Sequence, residues 1–154
     1  MEARRLSPLT GGVLTVGGLG HVPGGASLAS ALAVGVWLIP AHRGWPVGAS
    51  VLLFTAFLAI AVAALAAEAP REDPREVVAD EFLGMYAALL FLPGPDYRVA
   101  LALLVGFRVL DILKPPPFSW IDRWKAPVAI LLDDVAIGLC LGLAYALIAR
   151  WLRS

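Results

Sequence analysis

Residues 46–67 form a continuous stretch that contains no Asp, Glu, Lys or Arg. As an α-helix, these 22 residues would be about 33 Å long, which is enough to cross the hydrocarbon core of a bilayer. The composition of the whole chain agrees, because 60% of the residues are hydrophobic and only 16% are charged, against about 25% charged in soluble domains. We therefore predict an integral membrane protein.

Four further helices are predicted around this span, which gives an all-α polytopic membrane bundle with about five membrane helices. The first and third are shorter than the roughly 20 residues that a full span needs, so they are expected to be tilted or re-entrant. No helix is predicted before residue 26, because seven glycines interrupt residues 11–25. The whole chain, residues 1–154, is interpreted as one domain. The predicted helices cover residues 26–39, 46–67, 82–92, 97–113 and 127–152.

Composition excludes several functions. The formal net charge is zero, so nucleic acid is not an expected partner. The single cysteine, Cys140, lies in an apolar run, which excludes an intrachain disulfide and a multi-cysteine metal site. The position six residues later is Ala146 rather than an arginine, so a phosphatase of the cysteine-x5-arginine type is excluded as well.

Charged residues are distributed unequally between the two ends of the predicted helices. With five spans, eight cations fall at one end and four at the other, and the positive-inside rule makes the first end cytoplasmic. Ten of the twelve acidic residues lie on or near the same end. The eight cations are Arg4, Arg5, Arg71, Arg75, Arg108, Lys114, Arg123 and Lys125.

A charged face is predicted where the fourth helix ends. Arg108, Asp111 and Lys114 are spaced three residues apart, which places them on one side of a helix. The three prolines at residues 115–117 prevent the helix from continuing. Ionisable groups in such an apolar chain usually face a functional site. The alternative is that both cations extend to the membrane surface, with Asp111 as their ion-pair partner.

Two acidic pairs, Asp80-Glu81 and Asp133-Asp134, also lie at helix ends or inside helices. Adjacent carboxylates in a poorly solvated place need a strong counter-charge, and Mg²⁺ with substrate phosphate suits oxygen ligands of this kind. In the alternative interpretation, each pair only stabilises the positive end of a helix.

A glycine-rich segment, residues 17–25, precedes the first predicted helix. Its backbone N–H groups are candidates to hold an anion, although a flexible turn explains the glycines equally well. The candidate phosphate-binding residues of this segment are Gly20, Gly24, Gly25 and Ser27.

Four segments, in order, resemble the phosphatidylglycerophosphatase A family. Residues 107–117 with Asp122 resemble its Phe-Arg-x-x-Asp-x-x-Lys-Pro-x-Pro block, and residues 78–85 resemble its Asp-Glu-x-x-Gly segment. Residues 132–138 are similar to its Asp-Asp-x-x-Ala-Gly segment, and residues 19–27 to its Pro-Gly-Thr-x-Gly-Ser segment. Gly25 stands where the family usually has threonine.

The resemblance implies a Mg²⁺-dependent phosphatase in the bacterial cytoplasmic (inner) membrane, with its site facing the cytoplasm. Its expected substrate is a phospholipid in the bilayer, phosphatidylglycerophosphate, and homo-oligomer formation stays open. The expected metal ligands are Glu81, Asp111, Asp133 and Asp134. The expected catalytic residues are Asp80, Asp111, Asp122 and Asp133. Arg108 and Lys114 are expected to hold the phosphate oxygens.

Several alternatives remain at the level of sequence. Either a water molecule attacks the phosphorus in line, or Asp111 or Asp133 attacks it and forms an aspartyl-phosphate. The substrate could also be another lipid phosphate. A transporter or cation-binding protein is the alternative from a different class, but it should carry acids near the middle of its spans, and residues 46–67 have none.

Overall fold

The computed structural model describes residues 7–68, 76–124 and 126–154, except for the side chain of Asp122. Within these residues the chain forms seven α-helices, one turn of 3-10 helix at Leu19–His21, and no β-strand. The all-α prediction is therefore confirmed. The helices are α1 Pro8–Leu14, α2 Gly25–His42, α3 Val47–Glu68, α4 Ala79–Leu89, α5 Tyr97–Leu113, α6 Phe118–Asp122 and α7 Ala129–Trp151.

Three of these helices, α2, α3 and α7, are long and apolar enough to cross a membrane. Helix α2 is longer than predicted, since it begins one residue earlier and continues through Pro40 to His42. Helices α4 and α5, with 11 and 17 residues, fall short of the roughly 20 residues of a full span. The chain is a helical membrane protein, and the count of about five membrane helices stays a prediction.

Helix α4 is the centre of the bundle. Ten of its eleven residues are buried, and it packs against α2, α3, α5 and α7. A helix that is buried on all sides must be apolar or small on all sides, and α4 meets this requirement everywhere except at Asp80 and Glu81 in its first turn. The two acids therefore lie where the buried helix begins.

Small residues bring α4 and α7 into close contact. A Cβ atom added to Gly138 would lie 1.9 Å from the carbonyl oxygen of Gly84, and one added to Gly142 would lie 2.7 Å from the carbonyl oxygen of Ala88. Gly138 and Gly142 therefore allow α4 to approach α7 closely. Both helices run in the same direction, so the first turn of α4 lies beside the second turn of α7.

The sequence failed to predict two helices and placed the start of a third too late. Helix α1 forms despite Gly11 and Gly12, with a proline in its first turn and with Leu14 fully buried. The backbone N–H of Val78 donates to the carbonyl of Leu14 over 2.9 Å, so tertiary contacts offset the helix-breaking effect of the glycines. Helix α6 lies in a segment predicted as a loop and packs on α7. Helix α4 starts three residues before the predicted boundary of Phe82.

Candidate active site

The acidic pairs from α4 and α7 meet at one place. One carboxylate oxygen from each of Asp80, Glu81 and Asp134 lies within 4.8 Å of the other two. We call these three residues the acid triad. Asp80 and Asp134 are almost fully buried, and Asp111 and Asp133 lie near enough to Asp134 to interact with it electrostatically. So many acids in one poorly solvated place require compensating positive charge.

The close contact between α4 and α7 explains why the triad forms. Asp80 precedes Gly84 by four residues, and Asp134 precedes Gly138 by four residues, which places each acid about one turn before its glycine. Since the two glycines touch, the two acids are also neighbours. Helix α7 begins at Ala129 and has no acid in its first turn. The alternative interpretation of the Asp133-Asp134 pair as helix-start carboxylates is therefore wrong.

Arg108 of α5 connects two of the acids. Its Nη1 atom donates to Oδ2 of Asp111 over 2.6 Å, and it lies 3.9 Å from Oε1 of Glu81. The three-residue spacing thus holds the Arg108–Asp111 pair on one face of α5, as the sequence predicted. The guanidinium also links this pair to α4, which the sequence alone did not indicate.

Lys114 makes the second ion pair, across to α7. Its Nζ atom lies 2.5 Å from Oδ2 of Asp133. Lys114 caps the end of α5 in the left-handed conformation, with φ +38°, which is unusual for a residue with a side chain. The left-handed residue ends the helix and redirects the chain, so Lys114 meets α7 instead of continuing along the face of α5.

The donor set fits a divalent cation. Two buried carboxylate oxygens, Oε2 of Glu81 and Oδ1 of Asp134, have no hydrogen-bond partner within the described part of the chain. Buried carboxylate oxygens are strongly destabilising unless they are paired or coordinate a metal. Mg²⁺ prefers a few carboxylates and completes its shell with water and substrate phosphate. The triad therefore offers the ligands that such an ion requires.

The structure divides the predicted metal ligands into two groups. Glu81 and Asp134 belong to the acid triad, whereas Asp111 and Asp133 each accept a hydrogen bond from a cation. Asp80, which was predicted as a catalytic residue rather than a ligand, completes the triad. Its spacing to Gly84, which matches the spacing of Asp134 to Gly138, is the signal in the sequence that would have identified it. The side chain of Asp122, a further predicted catalytic residue, lies outside the described residues.

The glycine-rich segment packs tightly against its surroundings. A Cβ atom at Gly20 would lie 1.8 Å from the carbonyl oxygen of Glu76, and one at Gly25 would lie 2.2 Å from that of Leu19. The N–H groups of Gly20 and Gly25 donate to backbone carbonyls over 3.1 and 2.9 Å. Packing thus accounts for these two glycines, including the glycine at position 25 where threonine is usual.

For two other residues of the segment, Gly24 and Ser27, phosphate binding stays a prediction. Gly24 has φ +77° and caps α2 at its N-terminus, where helices favour anions. Ser27 is exposed in the first turn of that helix. Phosphate contact by Gly20, Gly24, Gly25 and Ser27 remains untested by this geometry.

A membrane bundle with an acid triad and two adjacent cations has the features of a membrane-embedded enzyme that acts on an anionic substrate. Comparison with known proteins identifies its family. The family model described as phosphatidylglycerophosphatase A matches residues 12–149. The chain belongs to the phosphatidylglycerophosphatase A family, and it is a lipid phosphatase.

Individual relatives agree with this assignment. The phosphatidylglycerophosphatase A of Escherichia coli (strain K12) is 29% identical over 133 residues, which cover 84% of this chain and 76% of the relative. A protein of Bacteroides thetaiotaomicron named "Putative phosphatidylinositol-3-phosphatase" is 34% identical over 131 residues, 82% of this chain and 81% of its own length. The phosphatidylglycerophosphatase A of Haemophilus influenzae is 31% identical, over 52% of this chain and 50% of its own length. No solved structure matches the chain.

Proposed function

We propose that the protein hydrolyses the terminal phosphomonoester of phosphatidylglycerophosphate and depends on Mg²⁺ held by the acid triad. The observation that carries the proposal is the pair of unpartnered carboxylate oxygens, on Glu81 and Asp134, within the described residues. Glu81 lies beside Arg108, whose Nη1 atom is 3.9 Å from Oε1 of Glu81 and can contact a phosphate oxygen and an acid at once. The family match and the two relatives named phosphatidylglycerophosphatase A support the choice of substrate.

Arg108, Lys114 and the bound metal are assigned to the phosphate group of the substrate. Arg108 has a buried Nε atom with no partner among the described residues, and we assign its guanidinium to the phosphate oxygens. Lys114 adds a second cation at the rim of the site. Mg²⁺, when bound, would neutralise negative charge on the phosphate and act as a Lewis acid.

Asp111 is the carboxylate that we assign to proton transfer. It lies near the triad but is more exposed than Asp133, with 12% against 2% of the side chain accessible. Water attacks the phosphorus, the bond from phosphorus to the glycerol oxygen breaks, and Asp111 takes the proton of the water. Asp111 then returns the proton to the departing glycerol oxygen, so the products are phosphatidylglycerol and inorganic phosphate.

The bacterial relatives support a location in the bacterial cytoplasmic membrane, and the distribution of charge supports a site that faces the cytoplasm. The acid triad, Arg108 and Lys114 all lie where α4 and α7 begin and α5 ends. By the positive-inside rule, the cation-rich end of the helices is cytoplasmic. Labelling of single cysteines in intact and in permeabilised cells tests this orientation. Cysteines placed at the end of the helices that carries the site should react with the label only after permeabilisation.

The experiment that tests the proposal is phosphate release from a panel of lipid phosphates by the purified protein. Phosphatidylglycerophosphate should be the best substrate, and EDTA should reduce the rate by at least about 100-fold because the triad loses its counter-charge. Adding Mg²⁺ in excess of EDTA should restore the rate. Full activity in EDTA, after exhaustive dialysis against the chelator, would contradict a metal-dependent reaction.

A second candidate substrate is a phosphorylated phosphatidylinositol. The Bacteroides relative whose name carries this activity is 34% identical over four-fifths of both chains. The same panel therefore includes phosphatidylinositol 3-phosphate. A kcat/KM for this lipid higher than that for phosphatidylglycerophosphate would favour the second candidate and leave the acid triad and its metal in place.

Replacing Arg108 with lysine tests the role of the guanidinium. The Arg108→Lys variant keeps the charge but cannot contact Asp111, Glu81 and a phosphate oxygen together, so kcat/KM should fall by about 10- to 100-fold. Kinetics of phosphate release measure the effect. The matched control is Arg98→Lys at the opposite end of α5, which should leave the kinetics unchanged. Equal activity of both variants would show that the reaction does not need the guanidinium group of Arg108.

A further inference from the structure

The exposure of the charged residues is graded across the site. Asp133 and Asp134 are only 2% exposed, whereas the side chains of Arg108 and Lys114 are 20% and 29% exposed. The acids therefore lie at the base of the site and the cations at its opening. Lys114, the more exposed of the two cations, caps α5, so the opening lies at the end of α5, where the connection to α6 begins.

The surface beside this opening is apolar and exposed. Ile112 and Leu113, the last residues of α5, are 73% and 69% exposed. On the other side of the connection, Trp120 and Trp124 are 60% and 59% exposed. Trp120 lies in α6, and Trp124 lies two residues after its end, where its backbone N–H donates to the carbonyl of Ile121 over 2.9 Å. Phe118, in contrast, packs against the core.

Tryptophan is the side chain that favours the boundary between headgroups and acyl chains, because its ring is apolar and its N–H is polar. Helix α5 ends, and α7 begins, at the same end of the bundle, so the connection with α6 lies at one membrane surface. The exposed cation Arg123 stands between the two tryptophans. This combination fits the boundary region of a leaflet that contains anionic phospholipid.

We propose that Trp120 and Trp124 form a lipid-docking surface through which the substrate lipid reaches the site laterally from the bilayer. The proposal rests on the proposed function. The glycerol backbone of the lipid would lie against the two indoles, and its phosphate would meet Lys114 and Arg108 at the opening before it reaches the acid triad. Because the phosphate is anionic and Lys114 and Arg108 are cationic, the lipid should enter with its phosphate towards these two residues.

The test is the double variant Trp120→Ala/Trp124→Ala, assayed with phosphatidylglycerophosphate in mixed micelles at several surface mole fractions. The surface KM should rise about tenfold, whereas kcat should change by less than about twofold, because the surface binds the lipid and takes no part in bond breaking. The variant Trp120→Phe/Trp124→Phe should recover part of the loss. The matched control is Trp45→Ala/Trp151→Ala, which removes two exposed tryptophans at the opposite end of the bundle and should have no effect.

A second measurement does not depend on activity. In vesicles that contain phosphatidylglycerol, lipids brominated near the carbonyl end of the chains should quench more of the wild-type fluorescence than lipids brominated near the chain ends. The difference should decrease in the Trp120→Ala/Trp124→Ala variant. The same quenching is expected even if phosphatidylglycerophosphate is not the substrate.

Two results would overturn the proposal. An unchanged surface KM in the folded double variant would show that the tryptophans do not bind the substrate lipid. A fall in kcat with no change in surface KM would show that they only support the fold of the site.

Discussion

The Asp134→Asn variant should lose about 10²- to 10³-fold in kcat and yet melt at a higher temperature than the wild type in the absence of metal. Asp134 is a triad residue with one carboxylate oxygen that has no partner among the described residues. Removing its charge removes a ligand of the proposed Mg²⁺ site, which lowers activity. The same change removes a buried charge with an unpartnered oxygen within the described residues, and burying such a charge without a metal destabilises the fold.

Two measurements separate these effects. Phosphate release gives the loss of activity, and thermal unfolding gives Tm, which for a chain of this size changes by about 2–4 °C for each kcal/mol of stability. Mg²⁺ should raise the Tm of the wild type, because it binds only the folded state, and should raise that of Asp134→Asn much less.

The control for Asp134→Asn is Asp96→Asn, which makes the same chemical change at the opposite end of the bundle. Asp96 caps α5 by accepting hydrogen bonds from the N–H groups of Arg98 and Val99 over 3.0 and 3.2 Å. Asparagine is an equally good cap, so activity and Tm should both stay the same. A wild-type rate for Asp134→Asn at saturating Mg²⁺ would show that Asp134 has no role in catalysis. It would contradict the proposal that the acid triad binds the metal.

The sequence predicted the elements that depend on local composition. The boundaries of α3 were correct to within one residue, with residues 46–67 expected and Val47–Glu68 found, because charge ends a membrane helix sharply. Helix α1 could not be predicted, because its stability comes from residues far away in the sequence, such as Glu68, which accepts hydrogen bonds from Ser7 and Thr10.

The sequence also predicted which charged residues lie close together, but it did not predict the ion-pair partner of each one. Lys114 and Asp133 are 19 residues apart, and their contact depends on a single residue in the left-handed conformation. Nothing in the local pattern requires that conformation in a lysine. Asp80, expected as a catalytic residue, lies in the acid triad, and Asp111, expected as both a ligand and a catalytic residue, accepts a hydrogen bond from Arg108; the sequence did not distinguish these two positions.

The Gly138→Ala variant should be strongly destabilised and inactive. The added Cβ would lie 1.9 Å from the carbonyl oxygen of Gly84 and 2.8 Å from its carbonyl carbon. These are backbone atoms of a buried helix, so no side-chain rotation relieves the collision, and α4 and α7 must separate by more than about 1 Å. The cost should be about 3 kcal/mol, larger than the gain of about 1 kcal/mol from replacing glycine with alanine in a helix.

Separation of the two helices should also reduce activity, because they carry Asp80, Glu81 and Asp134 of the triad. A displacement of about 1 Å in a catalytic arrangement can cost about 100-fold in rate. Thermal unfolding and phosphate release, measured on the same preparation, should therefore both decrease. This differs from Asp134→Asn, for which activity falls and Tm rises.

The control for Gly138→Ala is Gly35→Ala in α2, where an added Cβ would have no other described residue's atom within 4 Å outside its own helix backbone and chain neighbours. This variant should keep full activity and gain about 0.5–1 kcal/mol of stability, because alanine restricts the unfolded chain more than glycine does. If Gly138→Ala matched Gly35→Ala in both measurements, α4 and α7 would not be in the close contact that places Asp134 beside Asp80. The acid triad depends on that contact, so the two glycine variants test the geometry of the site without changing any of its charged residues.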